Sequence, residues 1–157
     1  ATTLVTVDRA TLYTRPDTPP DLIAAAVSDE TVAWAAQWAD GVITVGIEPD
    51  DVRRKVRIYR DAGGRGPFAL QLHLSWAPDE DDALAIAHDQ WLTNVFAAPL
   101  CWDVDDPAGF DAAAAHVRPE DLHGTVRISA DLGRHAGWIN EDVEAGCDAV
   151  YLHHVGK

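Results

Sequence analysis

The chain of 157 residues contains no methionine and only two cysteines, Cys101 and Cys147. Two isolated thiols make neither a disulfide framework nor a zinc knuckle, so each is expected to be a small buried residue in a reducing compartment. Long apolar runs are also missing, and the N-terminus lacks the basic and then apolar layout of a signal peptide. These absences favour a cytoplasmic protein. Because the first residue is alanine, either an initiator methionine has been removed or the chain is a piece of a longer polypeptide.

Basic residues are scarce: 12 Lys and Arg stand against 26 Asp and Glu, which gives a net charge of −14. Such a charge repels phosphate backbones and anionic lipid surfaces, so no nucleic acid and no membrane is expected as a partner. It is typical of an acidic surface that keeps a protein soluble. Apolar residues make up 47% of the chain, which is enough for one globular domain with a core.

Several catalytic signatures are absent as well. The chain has no Gly-x-Ser-x-Gly turn, no phosphate-cradling lysine loop and no Cys–His dyad. No metal site is expected, because His153 and His154 point to opposite faces of a strand and the other histidines lack ligand spacing. Arg118 and Arg127 are isolated cations, which we expect to pair with surface carboxylates.

What the chain does contain is an alternation of short apolar runs and helical patterns. Predicted strands at 22–27, 42–46, 67–77, 125–129 and 147–155 are separated by amphipathic segments, most of which start with Ser, Pro or acidic residues. This order indicates an α/β protein with a parallel sheet. Before it, two β-type runs at 4–7 and 10–13 predict a hairpin, and a proline-rich stretch at 15–21 predicts a connector.

The length and the ends of the pattern are unusual. A closed eight-stranded barrel takes about 250 residues, and this chain stops directly after a strand with no helix to cover it. The chain therefore looks cut at both ends. A self-contained flavodoxin-like domain is disfavoured, because no Ser/Thr-rich loop follows the first strand.

In parallel α/β folds, ligands collect at the carboxyl ends of the strands. At the first such end, Ser28 and Thr31 offer hydroxyls at a helix start, where a phosphate could be held without a glycine-rich loop. Ordinary helix capping explains the same residues, and Asp29 and Glu30 would repel an anion unless they point away.

A second strand end carries His73, Ser75 and Trp76, in the segment LQLHLSWA. His73 and Ser75 share one side of the strand, and an imidazole beside an indole suits an aromatic ring system. The alternative is a satisfied core histidine and a packing tryptophan.

The segments LVTVDRATLYTRPDTPP, WADGVITVG, LQLHLSWAPDEDDALAIAHDQWLTNVF, FDAAAAHVRPEDL and VRISADLGRHAGWI, together with GCDAVYLHHVG, extend over nearly the whole chain. They resemble the second half of the luciferase-like (LLM-class) flavin-dependent oxidoreductases, and most closely the non-deazaflavin, FMN-type branch. The resemblance implies a TIM barrel of which residues 21–157 supply strands five to eight. It also implies that residues 1–20 are the hairpin and lead-in, and that about 97–124 are an insertion beside the active-site mouth.

The resemblance further implies roles for individual residues. The cofactor's ribityl phosphate side would meet two strand ends, formed by Ala25, Ala26, Val27, Ser28, Thr31, Thr44, Val45 and Gly46. The substrate mouth would include His73, Ser75, Trp76 and His153. Deazaflavin relatives that act on sugar phosphates place a lysine after the sixth strand, whereas Ile47 and Glu48 stand here. The cofactor implied is FMN, with 8-hydroxy-5-deazaflavin as the alternative.

The function implied is that of the C-terminal portion of a flavin-dependent oxidoreductase or monooxygenase that acts on a small organic substrate. The family's catalytic residues belong to its first half, so the catalytic residues are unknown and the isolated chain is expected to be inactive. The alternative is a non-catalytic half-barrel that serves as a structural or interaction partner. In either case the exposed edges predict a homo-oligomer or a missing N-terminal half-barrel.

Overall fold

The computed structural model describes residues 6–156. The strands are β1 (Ile23–Ala25), β2 (Gly41–Val45), β3 (Phe68–Ser75), β4 (Arg127–Ile128) and β5 (Ala149–His154). The α-helices are α1 (Asp29–Ala35), α2 (Pro49–Asp61), α3 (Glu80–Trp91), α4 (Leu100–Asp103), α5 (Pro107–Ala114) and α6 (Leu132–Glu144). Two 3-10 helices span Leu92–Val95 and Pro119–Gly124. No helix in the described part is long and apolar enough to cross a membrane.

All five strands are parallel, and β3 is their centre. β2 pairs with the first half of β3, and β5 follows β3 in register from Ala69↔Ala149 to Leu74↔His154. β4 pairs only with the carboxyl end of β3, at Leu74 and Ser75. Because β5 occupies one edge of β3 throughout, β2 and β4 share the other edge, one after the other. The α/β fold with a parallel sheet that was predicted from the sequence is confirmed.

Side-chain oxygens begin most of the longer helices. Ser28 accepts a hydrogen bond from the backbone N–H of Thr31 at the start of α1, as predicted. Asp79, Asp106 and Asp131 accept in the same way at α3, α5 and α6, which satisfies N–H groups that have no partner within the helix. Capping thus explains the aspartates that precede α3, α5 and α6.

Helices α1 and α2 cover one face of the sheet. On the covered face, Val42, Phe68 and Leu70 are fully buried against Val32 of α1 and Val52 of α2. On the opposite face, Ile23 is 46% exposed and Tyr151 is 59% exposed. The sheet therefore presents a face, here called the bare face, on which apolar side chains meet solvent.

The second run of the predicted N-terminal hairpin, 10–13, is not a strand in the structure, and the first run lies partly outside the described residues. Residues 6–22 contain no strand, and Leu12 and Tyr13 are exposed; Leu4 and Val5 lie outside the described residues. A two-stranded hairpin is marginal without a surface to pack on, and residues 6–22 contribute nothing to the buried core. The predicted insertion at 97–124 consists of α4, α5 and the second 3-10 helix.

One backbone crossing holds the start of the sheet together. An added Cβ on Gly66 would lie 1.5 Å from the carbonyl oxygen of Asp40, so only glycine allows the loop before β3 to pass the loop before β2. Asp40 in turn exchanges hydrogen bonds with the backbone of Leu22, just before β1.

We expect Gly66→Ala to lower the free energy of unfolding by about 3 kcal/mol or more, because backbone must move to admit the methyl group. Chemical denaturation followed by tryptophan fluorescence measures the change. Gly137→Ala is the matched control, since that helical glycine has open space around its added Cβ. The control should raise stability by up to about 1 kcal/mol. Equal effects of the two substitutions would show that the crossing is not constrained.

Candidate functional site

The carboxyl half of the bare face holds the polar and aromatic side chains of the candidate site. Residues that pair directly across parallel strands project to the same side of the sheet. The registers Val45↔Gln71↔Tyr151 and His73↔His153 therefore place these five side chains on one face.

Three rings meet on this face. The ring centroid of His73 lies 4.9 Å from that of Trp91 and 5.3 Å from that of His153, and the Trp91–His153 distance is 4.9 Å. The pairs that involve His153 are edge-to-face, an arrangement that favours aromatic contacts. This aromatic cluster joins β3, the end of α3 and β5.

A cavity of about 250 Å³ opens beside the cluster. It is here called the rim pocket, because it lies where β2 ends and the chain returns from the insertion. None of the residues that line it is Asp, Glu, Lys or Arg. The lining residues are Val45, Gly46, Ile47, His73, Trp91, Asn94, Gly124 and Thr125.

The imidazole of His73 is held in its neutral form. Burial lowers the pKa of His73, and the neighbouring His153 lowers it further, because two imidazolium charges would repel each other. The side-chain amide nitrogen of Gln71 lies 3.1 Å from Nε2 of His73. An amide nitrogen can only donate, so Nε2 is the acceptor of a neutral ring.

The structure brings some of the predicted site residues together. Val45, Gly46 and His73 line the rim pocket, and His153 contacts it through the aromatic cluster. Trp76 does not reach the pocket, because its indole N–H donates to the carbonyl of Ala130 at 3.0 Å.

The other predicted site residues also lie outside the pocket lining. Ser75 is fully buried, and its hydroxyl donates to the carbonyl of Ala83 in α3 at 2.7 Å. Ala26 and Thr44 are each 1% exposed. Ala25 and Val27 lie exposed on and after the edge strand β1.

The hydroxyls of Ser28 and Thr31 form an exposed pair at the carboxyl end of β1. Their oxygens are 2.9 Å apart, and Ser28 also caps α1. The side chain of Asp29 turns away to form an ion pair with Arg54 of α2, at 3.1 and 3.2 Å. The carboxylate that would most repel an anion here is therefore neutralised by another helix. With only seven residues, α1 adds little through its dipole.

Four lining residues were missed by sequence reasoning: Trp91, Asn94, Gly124 and Thr125. All lie in or beside the region between β3 and β4, which has no strand-end pattern. Trp91 was visible as the aromatic residue that ends a predicted helix, but nothing local indicates that α3 brings it to His73. Within residues 6–156, no group of three or more His, Cys, Asp or Glu side chains could hold a metal ion.

Arg127 connects the two walls of the rim pocket. Its guanidinium donates to the carbonyl of Ile47 at 2.7 Å and forms two contacts with Asp142 of α6, at 3.0 and 3.1 Å. Arg127 is 5% exposed and Asp142 is 0% exposed, so the expected surface pairing is wrong for Arg127. It holds for Arg118, which pairs with the partly exposed Asp121.

The side chain of Arg127 connects two turns that backbone hydrogen bonds do not join. β2 ends at Val45, and β4 pairs with β3 alone, so no backbone hydrogen bonds join the turn after β2 to the turn before β4. Arg127 follows Thr125 by two residues, and its side chain fixes Ile47 in the opposite wall. We infer that the Arg127–Asp142 pair sets the distance between the walls.

The sequence model of the luciferase-like monooxygenase family matches residues 2–150. The chain belongs to this family. No curated protein sequence matches the chain significantly.

Solved structures share the fold. An F420-dependent secondary alcohol dehydrogenase, in complex with an F420–acetone adduct, aligns with a TM-score of 0.77 and 22% identity over 94% of this chain. The coenzyme F420-dependent tetrahydromethanopterin reductase of Methanopyrus kandleri aligns with a TM-score of 0.63 and 20% identity over 83%. The oxygenating constituent of 3,6-diketocamphane monooxygenase of Pseudomonas putida, in complex with FMN, aligns with a TM-score of 0.54 and 15% identity over 86%.

The matched part is about half of each of these proteins. This chain covers 47%, 44% and 42% of their lengths, respectively. At these identities the likeness shows the fold, which is part of a TIM barrel.

We expect Arg127→Met to lower the free energy of unfolding by about 3–5 kcal/mol, because it leaves the buried carboxylate of Asp142 without a partner. Denaturant unfolding measures the loss. The control is Arg118→Met, which breaks a solvent-exposed ion pair and should leave the midpoint unchanged. A midpoint for Arg127→Met that equals the wild-type value would contradict a structural role for the pair.

The lowered pKa of His73 predicts a loss of stability in acid. Below the ordinary histidine pKa of 6.5, the unfolded chain binds a proton that the folded chain resists, so stability falls as the pH drops. His73→Gln should reduce the fall in Tm between pH 7 and pH 5. The control is His116→Gln, at an exposed position, which should keep the wild-type slope. An unchanged slope in His73→Gln would refute the assignment.

Proposed function

We propose that this chain is the C-terminal portion of a flavin-dependent luciferase-like oxidoreductase or monooxygenase. The main support for this proposal is the position of the rim pocket. It lies at the carboxyl ends of β2 and β3 in a chain of this family, where parallel α/β folds bind their ligands.

Two features of the chain fit a flavin mononucleotide. The exposed hydroxyls of Ser28 and Thr31 can donate to phosphate oxygens, and the ion pair of Asp29 with Arg54 removes the nearest repulsion. The small side chains of Ala25 and Ala26 allow a ligand to approach the backbone. These residues would hold the ribityl phosphate side, with Val27 and the end of β2 (Thr44 to Gly46) beside it.

The other feature is the aromatic cluster. His73, Trp91 and His153 offer ring edges and faces that can orient a planar molecule and exclude water. When bound, a flavin supplies hydride transfer to or from an organic substrate or dioxygen. The chain's part is then orientation and a dry surface. On this view Ser75 and Trp76 support the strand end from behind and do not touch the substrate.

The cofactor proposed is FMN, and 8-hydroxy-5-deazaflavin remains the alternative. The structural neighbours include both an FMN complex and F420-dependent enzymes, which supports a flavin-type cofactor without choosing between them. Ile47 and Glu48 stand where deazaflavin relatives that act on sugar phosphates tend to place a lysine, which argues against a phosphorylated sugar as substrate.

The bare face supports the proposal that this half-barrel needs further polypeptide. Ile23 on one edge strand and Tyr151 on the other are exposed, and each outer edge lacks a neighbouring strand within residues 6–156. An N-terminal half-barrel would cover the face and complete the ring; a homo-oligomer would also bury it. The second candidate function, a non-catalytic half-barrel partner, rests on the same exposed surface. A cytoplasmic location remains a prediction.

We expect the chain, completed by an N-terminal half-barrel supplied in trans, to bind FMN. The double substitution Ser28→Ala and Thr31→Val should weaken FMN binding about tenfold or more, because hydrogen bonds to a charged phosphate are lost. Riboflavin, which lacks the phosphate, is the control ligand and should bind both proteins equally. Flavin fluorescence quenching measures both affinities.

Two other results would change the assignment. A completed assembly that binds neither FMN nor deazaflavin would favour the non-catalytic half-barrel. Equal losses of FMN and riboflavin affinity would move the phosphate away from Ser28 and Thr31.

A further inference from the structure

The rim pocket is uncharged on every side. None of its eight lining residues is Asp, Glu, Lys or Arg, although charged residues make up 24% of the chain. The only histidine among them, His73, is neutral beside His153. A phosphate, carboxylate or ammonium that entered would lose its hydration without gaining a counter-charge, and that loss is costly.

The polar groups of the pocket are neutral and few. The carboxamide of Asn94 is exposed and can donate or accept. The hydroxyl of Thr125 already donates to the carbonyl of Leu122 at 3.3 Å, so its oxygen remains free to accept. Together they suit one hydroxyl or carbonyl group on a ligand.

The remaining surface is apolar and aromatic. Val45 and Ile47 form one side, and the rings of His73 and Trp91 form the other. The volume of about 250 Å³ lies below the range of about 300–1,000 Å³ that is usual for drug-sized ligands. The space that this chain lines therefore suits a small molecule.

We infer that the rim pocket binds an uncharged alcohol or carbonyl compound with a compact apolar body, and that it rejects anions and amines of the same shape. The identification of this molecule as the substrate rests on the function proposed above. The binding preference is argued from the residues of this chain that line the pocket.

Three compounds with the same ring test the preference: benzyl alcohol, benzoate and benzylamine. Titration of the isotope-labelled chain, followed by NMR, reports affinity and place together. Benzyl alcohol should shift the signals of Gly46, Gly124 and the Asn94 side chain in a saturable way. Benzoate and benzylamine should bind about tenfold more weakly or worse, because each buries an unpaired charge.

Charge substitutions at Asn94 sharpen the test. Asn94→Lys should strengthen benzoate binding and Asn94→Asp should strengthen benzylamine binding, each by about tenfold, with little change for benzyl alcohol. Asn140→Lys and Asn140→Asp, on exposed helix α6 outside the pocket, are the matched controls and should change none of the three affinities.

The inference is overturned if benzoate or benzylamine binds the unaltered chain as tightly as benzyl alcohol. It is also overturned if benzyl alcohol gives no saturable shift at the pocket. These failures are distinct from failure of the flavin proposal, which is read from FMN binding. Benzyl alcohol binding without FMN binding would keep the pocket and reject the cofactor.

Discussion

The central strand β3 organises the molecule, because it hydrogen-bonds along both edges and is longer than the strand beside it. β5 follows one edge for six residues, whereas β2 occupies only the first part of the other edge. The rest of that edge accepts β4, which arrives after the insertion. A gap between the ends of β2 and β4 results, and both the rim pocket and the Arg127 contact lie there.

A buried guanidinium is well suited to such a gap. It offers several donors in one plane, so Arg127 can satisfy the carbonyl of Ile47 and the carboxylate of Asp142 at the same time. A ladder of backbone hydrogen bonds would close the space, and an apolar side chain would leave the carbonyl without a partner. Arg127 thus links the turn after β2 to β4 and α6.

The groups at the carboxyl ends of the strands indicate what this chain can contribute to a binding site. The carboxyl ends of these strands offer hydroxyls, the aromatic cluster and an uncharged pocket lining. These groups can bind and orient a ligand. Under the function proposed above, the chemistry would come from a cofactor and from further polypeptide that covers the bare face.

Particular residues show how far the sequence alone reaches. Local patterns were sufficient for the parallel α/β architecture and the Ser28 cap, because capping and strand periodicity depend on neighbours a few residues apart. Family resemblance added the half-barrel. Only the tertiary structure decided that Ser75 turns to α3, that Trp91 and Asn94 join His73, and that Arg127 pairs with a buried carboxylate. Those contacts join residues far apart in the chain, and their energies depend on burial and distance, which no local pattern encodes.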